Sequence, residues 1–175
     1  MRAFSNVSKQ STRTGSSTGF TLEEFNFAKM GMIVLNILSD VLYDILKQDK
    51  AFLRPRSDCD ITYLYSEHRR INKHKPSNGW GGTWQTIQST NIAVGDDIER
   101  IRYTRNEIFH SKKFELDKKR YTELCEILAD LLTRSDQQNK PARLYTDYFN
   151  EIISKAISAE DLKVVYHQIE NEIKS

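Results

Sequence analysis

The sequence has few residues that could stabilise the fold through disulfides or a bound metal. Its 175 residues include two cysteines, Cys59 and Cys125, which are far apart and show neither CxxC nor Cys/His spacing. That pattern argues against a zinc site and against the disulfide framework of a secreted protein. We therefore expect no metal and no cofactor, and we predict a cytoplasmic location.

A strong excess of charge and a long hydrophobic run are also missing. The formal net charge is +2 although 29% of the residues are charged, so any affinity for nucleic acid must come from local basic clusters. The most hydrophobic segment, MGMIVLNILSDVLYDIL, is interrupted by Asn36, Asp40 and Asp44. A membrane span needs about 18 apolar residues in a row, so we predict no transmembrane helix and no membrane partner.

Acidic residues are absent from the first twenty positions, which carry Arg2, Lys9 and Arg13 among many Ser and Thr. This composition predicts a disordered basic arm over 1–20. It also fits a weak mitochondrial presequence, and the sequence leaves that alternative open. The rest of the chain is long enough to bury one core.

Apolar residues recur at intervals of three and four, and no strand pattern of useful length is present. The first such stretch runs from Thr21 to about Lys47, and Thr21 forms a capping box with Glu24. The other predicted helices begin at Ser57 or Asp58, at Thr90 or Asn91, at Asp117, near Pro141 and at Ser158. The sequence therefore predicts an all-α fold of about five to six helices, with a bundle over 21–135 and a C-terminal helical hairpin over 136–175 packed on it.

The stretch KPSNGWGGTWQTIQSTN contains several turn-forming residues and both tryptophans. It predicts an ordered loop between the second and third helices. Trp80 and Trp84 either plug against the bundle or stack on an unpaired base.

The third predicted helix carries the most informative stretch, RNEIFH, at positions 105 to 110. Arg102, Asn106 and His110 fall on one helical stripe, whereas Arg105 lies on the neighbouring apolar seam. A charged residue on such a seam needs a partner or a purpose. The structural interpretation gives Arg105 a carboxylate from Glu99, from Glu107 or from another helix, and the functional one makes it part of a site.

In the functional interpretation, two copies of this helix face each other across a twofold axis and share a cleft. An imidazole can move protons to and from ribose and phosphate oxygens near neutral pH. A guanidinium can hold the phosphate, and Asn106 can orient either group. These parts suffice for RNA cleavage by internal transesterification without a metal.

The motif Arg105, Asn106 and His110 resembles that of the HEPN superfamily, the higher eukaryote and prokaryote nucleotide-binding domains. Its setting, with SDCDITYLY, NGWGGTW and DDIERIRYTRNEIFHSKK in that order, is similar to the animal branch found in the DAZ-interacting zinc-finger ubiquitin ligase. The resemblance covers about Phe25 to Arg134. It implies a helical bundle, a homodimer that pairs the two motifs, metal-independent cleavage of single-stranded RNA, and a role in immune signalling.

Basic side chains cluster before the loop and after the motif. We predict RNA contacts from Arg102, Lys112, Lys113, Arg69, Arg70 and Lys73, although such runs are often simply solvated faces. The competing function is a catalytically inactive helical dimerisation or adaptor module in a signalling or ubiquitin-ligase assembly.

Overall fold

Six helices account for most of residues 19–174, which are the residues that the computed structural model of the chain describes. They are α1 (Leu22–Asp49), α2 (Ile61–Ile71), α3 (Val94–Phe109), α4 (Lys118–Asn139), α5 (Tyr145–Ser154) and α6 (Ala159–Lys174). No strand occurs in this range. The predicted all-α bundle is confirmed, whereas the predicted arm over 1–20 lies outside the described residues except for Gly19 and Phe20.

Helix α1 runs through the centre of the bundle. The predicted capping box is present, since the backbone N–H of Glu24 donates to Thr21 Oγ1 (3.2 Å) and that of Thr21 donates to Glu24 Oε1 (3.0 Å). Apolar side chains on several sides of α1 are fully buried, and each stabilises the fold by about 1.5–3 kcal/mol. They include Phe27, Met30, Ile33, Ile37, Leu38, Leu42 and Leu46.

By length and composition, α1 is the one helix of residues 19–174 that could cross a membrane. However, 72% of its most apolar window is buried inside the bundle. A central core helix of this kind passes the same test of length and composition.

A π-helical segment, Ile33–Leu38, interrupts the α-helical geometry of α1. Two backbone carbonyls of the segment accept hydrogen bonds from side chains. Ser39 Oγ donates to the carbonyl of Val34 (3.0 Å), and Arg56 Nη2 donates to that of Leu35 (3.3 Å). The apolar spacing of the sequence did not predict this wider turn.

The two halves of α1 have different neighbours. The first half packs against α6, and the half that follows the π-helical segment packs against α2. At Gly31, a Cβ atom would lie 2.9 Å from Ile169 Cδ1, which is too close for an ordinary contact. Glycine therefore permits the close approach of α6 to α1.

Two predicted helix starts are wrong by a few residues. Asp60, and not Ser57 or Asp58, caps α2, because its Oδ1 accepts the N–H of Tyr63 (2.8 Å) while Arg56–Asp58 forms a separate 3-10 turn. Helix α3 begins at Val94 and not after Thr90 or Asn91. There Asp96 Oδ2 accepts the backbone N–H of Ala93 at 3.1 Å.

The boundaries of the later helices are partly as predicted. Asp117 caps α4, but α4 continues past Ser135 to Asn139. Lys140 then ends it in the left-handed conformation, with φ 47°. Helix α5 begins at Tyr145, beyond the predicted Pro141, because the Asp136 carboxylate accepts the N–H of Tyr145 at 2.7 Å. The predicted Ser158 start of α6 is confirmed by its reciprocal contacts with Asp161.

Candidate functional site

Helix α3 carries the predicted motif and is held firmly at its N-terminal end. Asp96 accepts the backbone N–H of Ser77 (2.7 Å) and its hydroxyl (2.6 Å). Asp97 binds Arg100 within α3 and Arg134 on α4. Both carboxylates are almost fully buried, so these bonds fix the direction of α3 relative to the preceding loop and to α4.

Arg105 is half-buried in the C-terminal half of α3. Its Nη1 donates to Asn106 Oδ1 (3.2 Å), and its guanidinium carbon lies 4.8 Å from the centre of the Phe109 ring. Its Nε atom is buried and has no hydrogen-bond acceptor among residues 19–174. In the described part of the chain, no carboxylate lies within salt-bridge distance of Arg105. Burial lowers the pKa of Arg105.

The charges that act on the pKa of Arg105 come from other elements of the bundle. Glu172 on α6 and Asp60 at the start of α2 both oppose the effect of burial on the Arg105 pKa. Burial raises the pKa of Glu172 to about 7, and Asp60 adds to that shift, whereas Arg105 and Arg56 oppose it. Glu172, the carboxylate that most opposes the lowering of the Arg105 pKa by burial, therefore comes from α6.

Glu99 and Glu107, the two partners considered from the sequence, are occupied elsewhere. Glu99 Oε1 accepts the backbone N–H groups of Gly81 (2.9 Å) and Gly82 (3.1 Å). Glu107 binds Arg120 through both of its oxygens at 2.7 Å.

His110 is exposed and is the first residue after the end of α3. Its backbone N–H donates to the carbonyl of Asn106 (3.0 Å), and its φ of −96° and ψ of 5° leave the helical conformation. No hydrogen bond joins His110 to Arg105 in the described structure. His110 therefore stands just outside the regular helix, and its exposed side chain lies near the C-terminus of α3.

The glycine-rich loop packs onto α2 and α3. Trp80 Nε1 donates to Asn72 Oδ1 (2.9 Å), and Trp84 Nε1 donates to Glu107 Oε1 (3.0 Å). Gly79 and Gly81 adopt φ values of 83° and 84°, which side chains other than glycine rarely tolerate. The packing of both tryptophans agrees with the plug interpretation.

Arg102, which was predicted to contact RNA, is part of the support for this loop. Its Nη2 donates to the carbonyl of Gly82 (2.7 Å) and contacts Glu99 (3.4 Å). Its guanidinium carbon lies 5.0 Å from the centres of the Tyr65 and Tyr103 rings. These contacts commit most of the side chain to holding the loop against α3.

The remaining predicted RNA contacts fall into two groups. Arg70 pairs with Glu67 (3.0 Å), and Lys73 pairs with Asp49 (2.7 Å), although both basic side chains stay largely exposed. The other three, which are exposed and form no salt bridge in the described part of the chain, are Arg69, Lys112 and Lys113.

Neither Glu172 nor Asp60 was predicted from the sequence as a neighbour of Arg105. In α6, Glu172 follows the buried Ile169 by three residues. The helical repeat therefore places the Glu172 carboxylate at the edge of the apolar stripe. That local signal could have marked Glu172 as unusual. It could not have paired Glu172 with a residue 67 positions earlier, the separation of 105 and 172 in the numbering.

Comparison of the chain with known protein families, with curated proteins and with solved structures finds no match. The resemblance to the HEPN superfamily therefore rests on the motif residues and on their order along the chain. Within residues 19–174, no group of three or more His, Cys, Asp or Glu side chains is placed to hold a metal ion.

Proposed function

We propose that the protein is a dimeric, metal-independent endoribonuclease that cleaves single-stranded RNA. In this proposal the 2′-hydroxyl attacks the adjacent phosphorus, and the bond to the 5′-oxygen breaks. His110 takes the proton from the 2′-hydroxyl or gives one to the leaving 5′-oxygen. The products are a 2′,3′-cyclic phosphate and a 5′-hydroxyl. The reaction therefore needs no metal or cofactor as a reactant.

The observation that carries this proposal is that the Arg105 guanidinium forms no salt bridge in the described structure. Other arginines of the bundle, such as Arg56, Arg100 and Arg120, have a carboxylate within salt-bridge distance. Arg105 has none in the described structure, and Asn106 is the side chain that holds its guanidinium. A phosphate is a strong acceptor for such a group, and it would offset the developing charge during transesterification.

The exposure of His110 is the second support. An exposed imidazole at the end of α3 is available to a second copy of the chain or to RNA. Lys112 and Lys113 follow directly and are exposed, so they supply positive charge beside the imidazole. Pairing two α3 helices would place an arginine and a histidine from different copies in one cleft.

A second candidate function is a catalytically inactive dimerisation or adaptor module. The contact of Arg105 with the Phe109 ring and the nearby Glu172 carboxyl favour it. These groups give the arginine a structural role that needs no phosphate. The adaptor interpretation predicts a dimer without motif-dependent cleavage.

The test is a cleavage assay with end-labelled single-stranded RNA in excess EDTA. We expect Arg105→Ala and His110→Ala to lose at least about a hundredfold in rate, the lower range for a general acid or base. The product ends should be a cyclic phosphate and a 5′-hydroxyl. Light scattering on the same samples reports whether the chain is dimeric.

Matched control variants are available at exposed positions outside the motif. His167→Ala removes an exposed histidine from α6, and Arg143→Ala removes an arginine that pairs with Glu151 outside the motif. Both controls should cleave like the unaltered protein. Equal cleavage by the His110 variant and the His167 variant would contradict the nuclease proposal and would leave the adaptor function.

A further inference from the structure

A polar cleft of about 480 Å³ lies between the middle of α1, the loop before α2 and the end of α6. Its walls include Asn36 from the π-helical segment, Asp60 and Tyr63 from the start of α2, and Glu172 from α6. Small-molecule sites in proteins have volumes of about 300–1,000 Å³. The cleft is therefore large enough for a small ligand.

Several polar groups in the cleft have no partner within the described residues. Glu172 forms neither a hydrogen bond nor a salt bridge there, although it is mostly buried. The amide of Asn36 forms no hydrogen bond either. Asp60 uses Oδ1 to cap α2, and its carboxylate has no salt bridge. All three side chains are partly exposed, so a ligand in the cleft could reach them.

The two carboxylates of the cleft that form no salt bridge in the described structure, those of Glu172 and Asp60, are acceptors and carry negative charge when ionised. Arg56 already has a carboxylate partner, because it binds Asp40 (2.6 Å) and also the carbonyls of Cys59 (3.0 Å) and Leu35 (3.3 Å). Arg54 lies exposed at the rim, with its guanidinium 4.2 Å from the centre of the Tyr63 ring. A ligand that donates hydrogen bonds and carries positive charge would complement what remains.

The π-helical segment supplies an independent reason to regard this cleft as functional. Wider turns of this kind within α-helices occur frequently at functional sites. In α1, the segment Ile33–Leu38 contributes both Leu35 and Asn36 to the wall of the cleft. The carbonyl of Leu35 binds the same Arg56 that anchors the opposite wall.

We propose that this cleft binds a small guanidinium compound, held by the carboxylates of Glu172 and Asp60 and by the amide of Asn36. A guanidinium presents paired N–H donors in a plane, which match the two oxygens of a carboxylate. Arg54 on Tyr63 shows that the rim of the cleft already accommodates one guanidinium against an aromatic ring. The binding proposal does not rest on RNA cleavage, although Glu172 also acts on the pKa of Arg105.

Binding of a cation should depend on pH through Glu172. The pKa of this carboxyl is raised to about 7, and the charged groups around it are Asp60 and Arg56 from the loop before α2 and Arg105 from α3. A cationic ligand binds the ionised carboxylate better than the neutral acid. Between about pH 6 and pH 8 the ionised fraction rises from about one tenth to nine tenths, so the affinity should rise by up to about tenfold.

The experiment titrates the full chain with butylguanidinium by calorimetry or by NMR shifts. Butylurea, the uncharged analogue of similar shape, is titrated under the same conditions. We expect saturable binding of the guanidinium, at least tenfold weaker binding of the urea, and tighter binding at the higher pH. Binding of both compounds with equal affinity, or of neither, would overturn the proposal.

Variants then assign the binding to the cleft. Glu172→Gln should weaken butylguanidinium binding by about tenfold and remove most of the pH dependence. Glu170→Gln, on an exposed position of the same helix, is the matched control. Identical binding by the two variants would refute the assignment. If Glu172→Gln does not fold, as judged by circular dichroism, the comparison of guanidinium with urea at two pH values still decides the proposal.

Discussion

Replacing Glu99 by alanine should loosen the glycine-rich loop and destabilise the whole bundle. Glu99 is 1% exposed. Its Oε1 accepts the N–H groups of Gly81 and Gly82, the hydroxyl of Tyr103 (3.3 Å) and a weaker contact from Arg102 (3.4 Å). Alanine would remove this acceptor from the two glycine N–H groups, and it would leave the Arg102 charge without its carboxylate, although Arg102 would keep its bond to the carbonyl of Gly82.

The size of the effect follows from these contacts. Removing one partner of a buried, hydrogen-bonded ion pair costs about 3–5 kcal/mol. The Arg102 side chain is 21% exposed, and water can therefore replace part of the lost contact. We expect a loss of about 3 kcal/mol in the free energy of unfolding. Glu99→Gln keeps an acceptor for the glycine N–H groups but removes the charge, so it should cost about 1–2 kcal/mol.

Urea unfolding followed by tryptophan fluorescence and by far-ultraviolet circular dichroism measures both variants. Trp80 and Trp84 lie in the loop, so their fluorescence reports loop packing while circular dichroism reports the helices. Glu170→Ala on the exposed face of α6 is the control and should change stability by less than about 0.5 kcal/mol. A Glu99→Ala protein within about 1 kcal/mol of the unaltered chain would refute the view that this carboxylate anchors the loop.

Two further predictions concern packing and pH. Gly95→Ala should lower the melting temperature, because a Cβ there would lie 2.2 Å from the carbonyl oxygen of His74, although alanine usually stabilises a helix relative to glycine; an unchanged or higher melting temperature would contradict this. Burial lowers the pKa of Lys29 to about 8, below its value of about 10.4 in the unfolded chain. The unfolded state therefore binds more protons between these values, and stability should rise with pH from about 8 to 10. Urea unfolding of Lys29→Met should lack this rise, and equal slopes in both proteins would contradict the lowered pKa.

The helices could be predicted from the sequence because their signals are local. Thr21 and Glu24 form a capping box, and Asp117 and Ser158 stand where helix starts require a side-chain acceptor. The wrong starts at α2 and α3 have a common reason. Several Ser, Thr, Asn and Asp residues precede each helix, and the choice among them depends on which backbone N–H groups the loop leaves unpaired.

The surroundings of Arg105 depend on contacts between distant parts of the chain. The sequence places Arg105 on an apolar seam and offers Glu99 and Glu107 as neighbours on the same helix. Both are taken by groups that α3 meets only after folding, namely the loop glycines and Arg120 on α4. Glu172 comes into reach of Arg105 because α6 packs against α1 and α3, which no local pattern encodes.

The π-helical segment of α1 also determines how insertions and deletions would act on this protein. Each residue of an α-helix turns the chain by about 100°. Deleting one residue between Ile33 and Leu38 would therefore rotate everything after it relative to α6, and Val41, Ile45 and Leu46 would no longer face the core. The length of this segment sets the relative orientation of the two packing surfaces of α1, so substitutions there should be tolerated far better than changes in length.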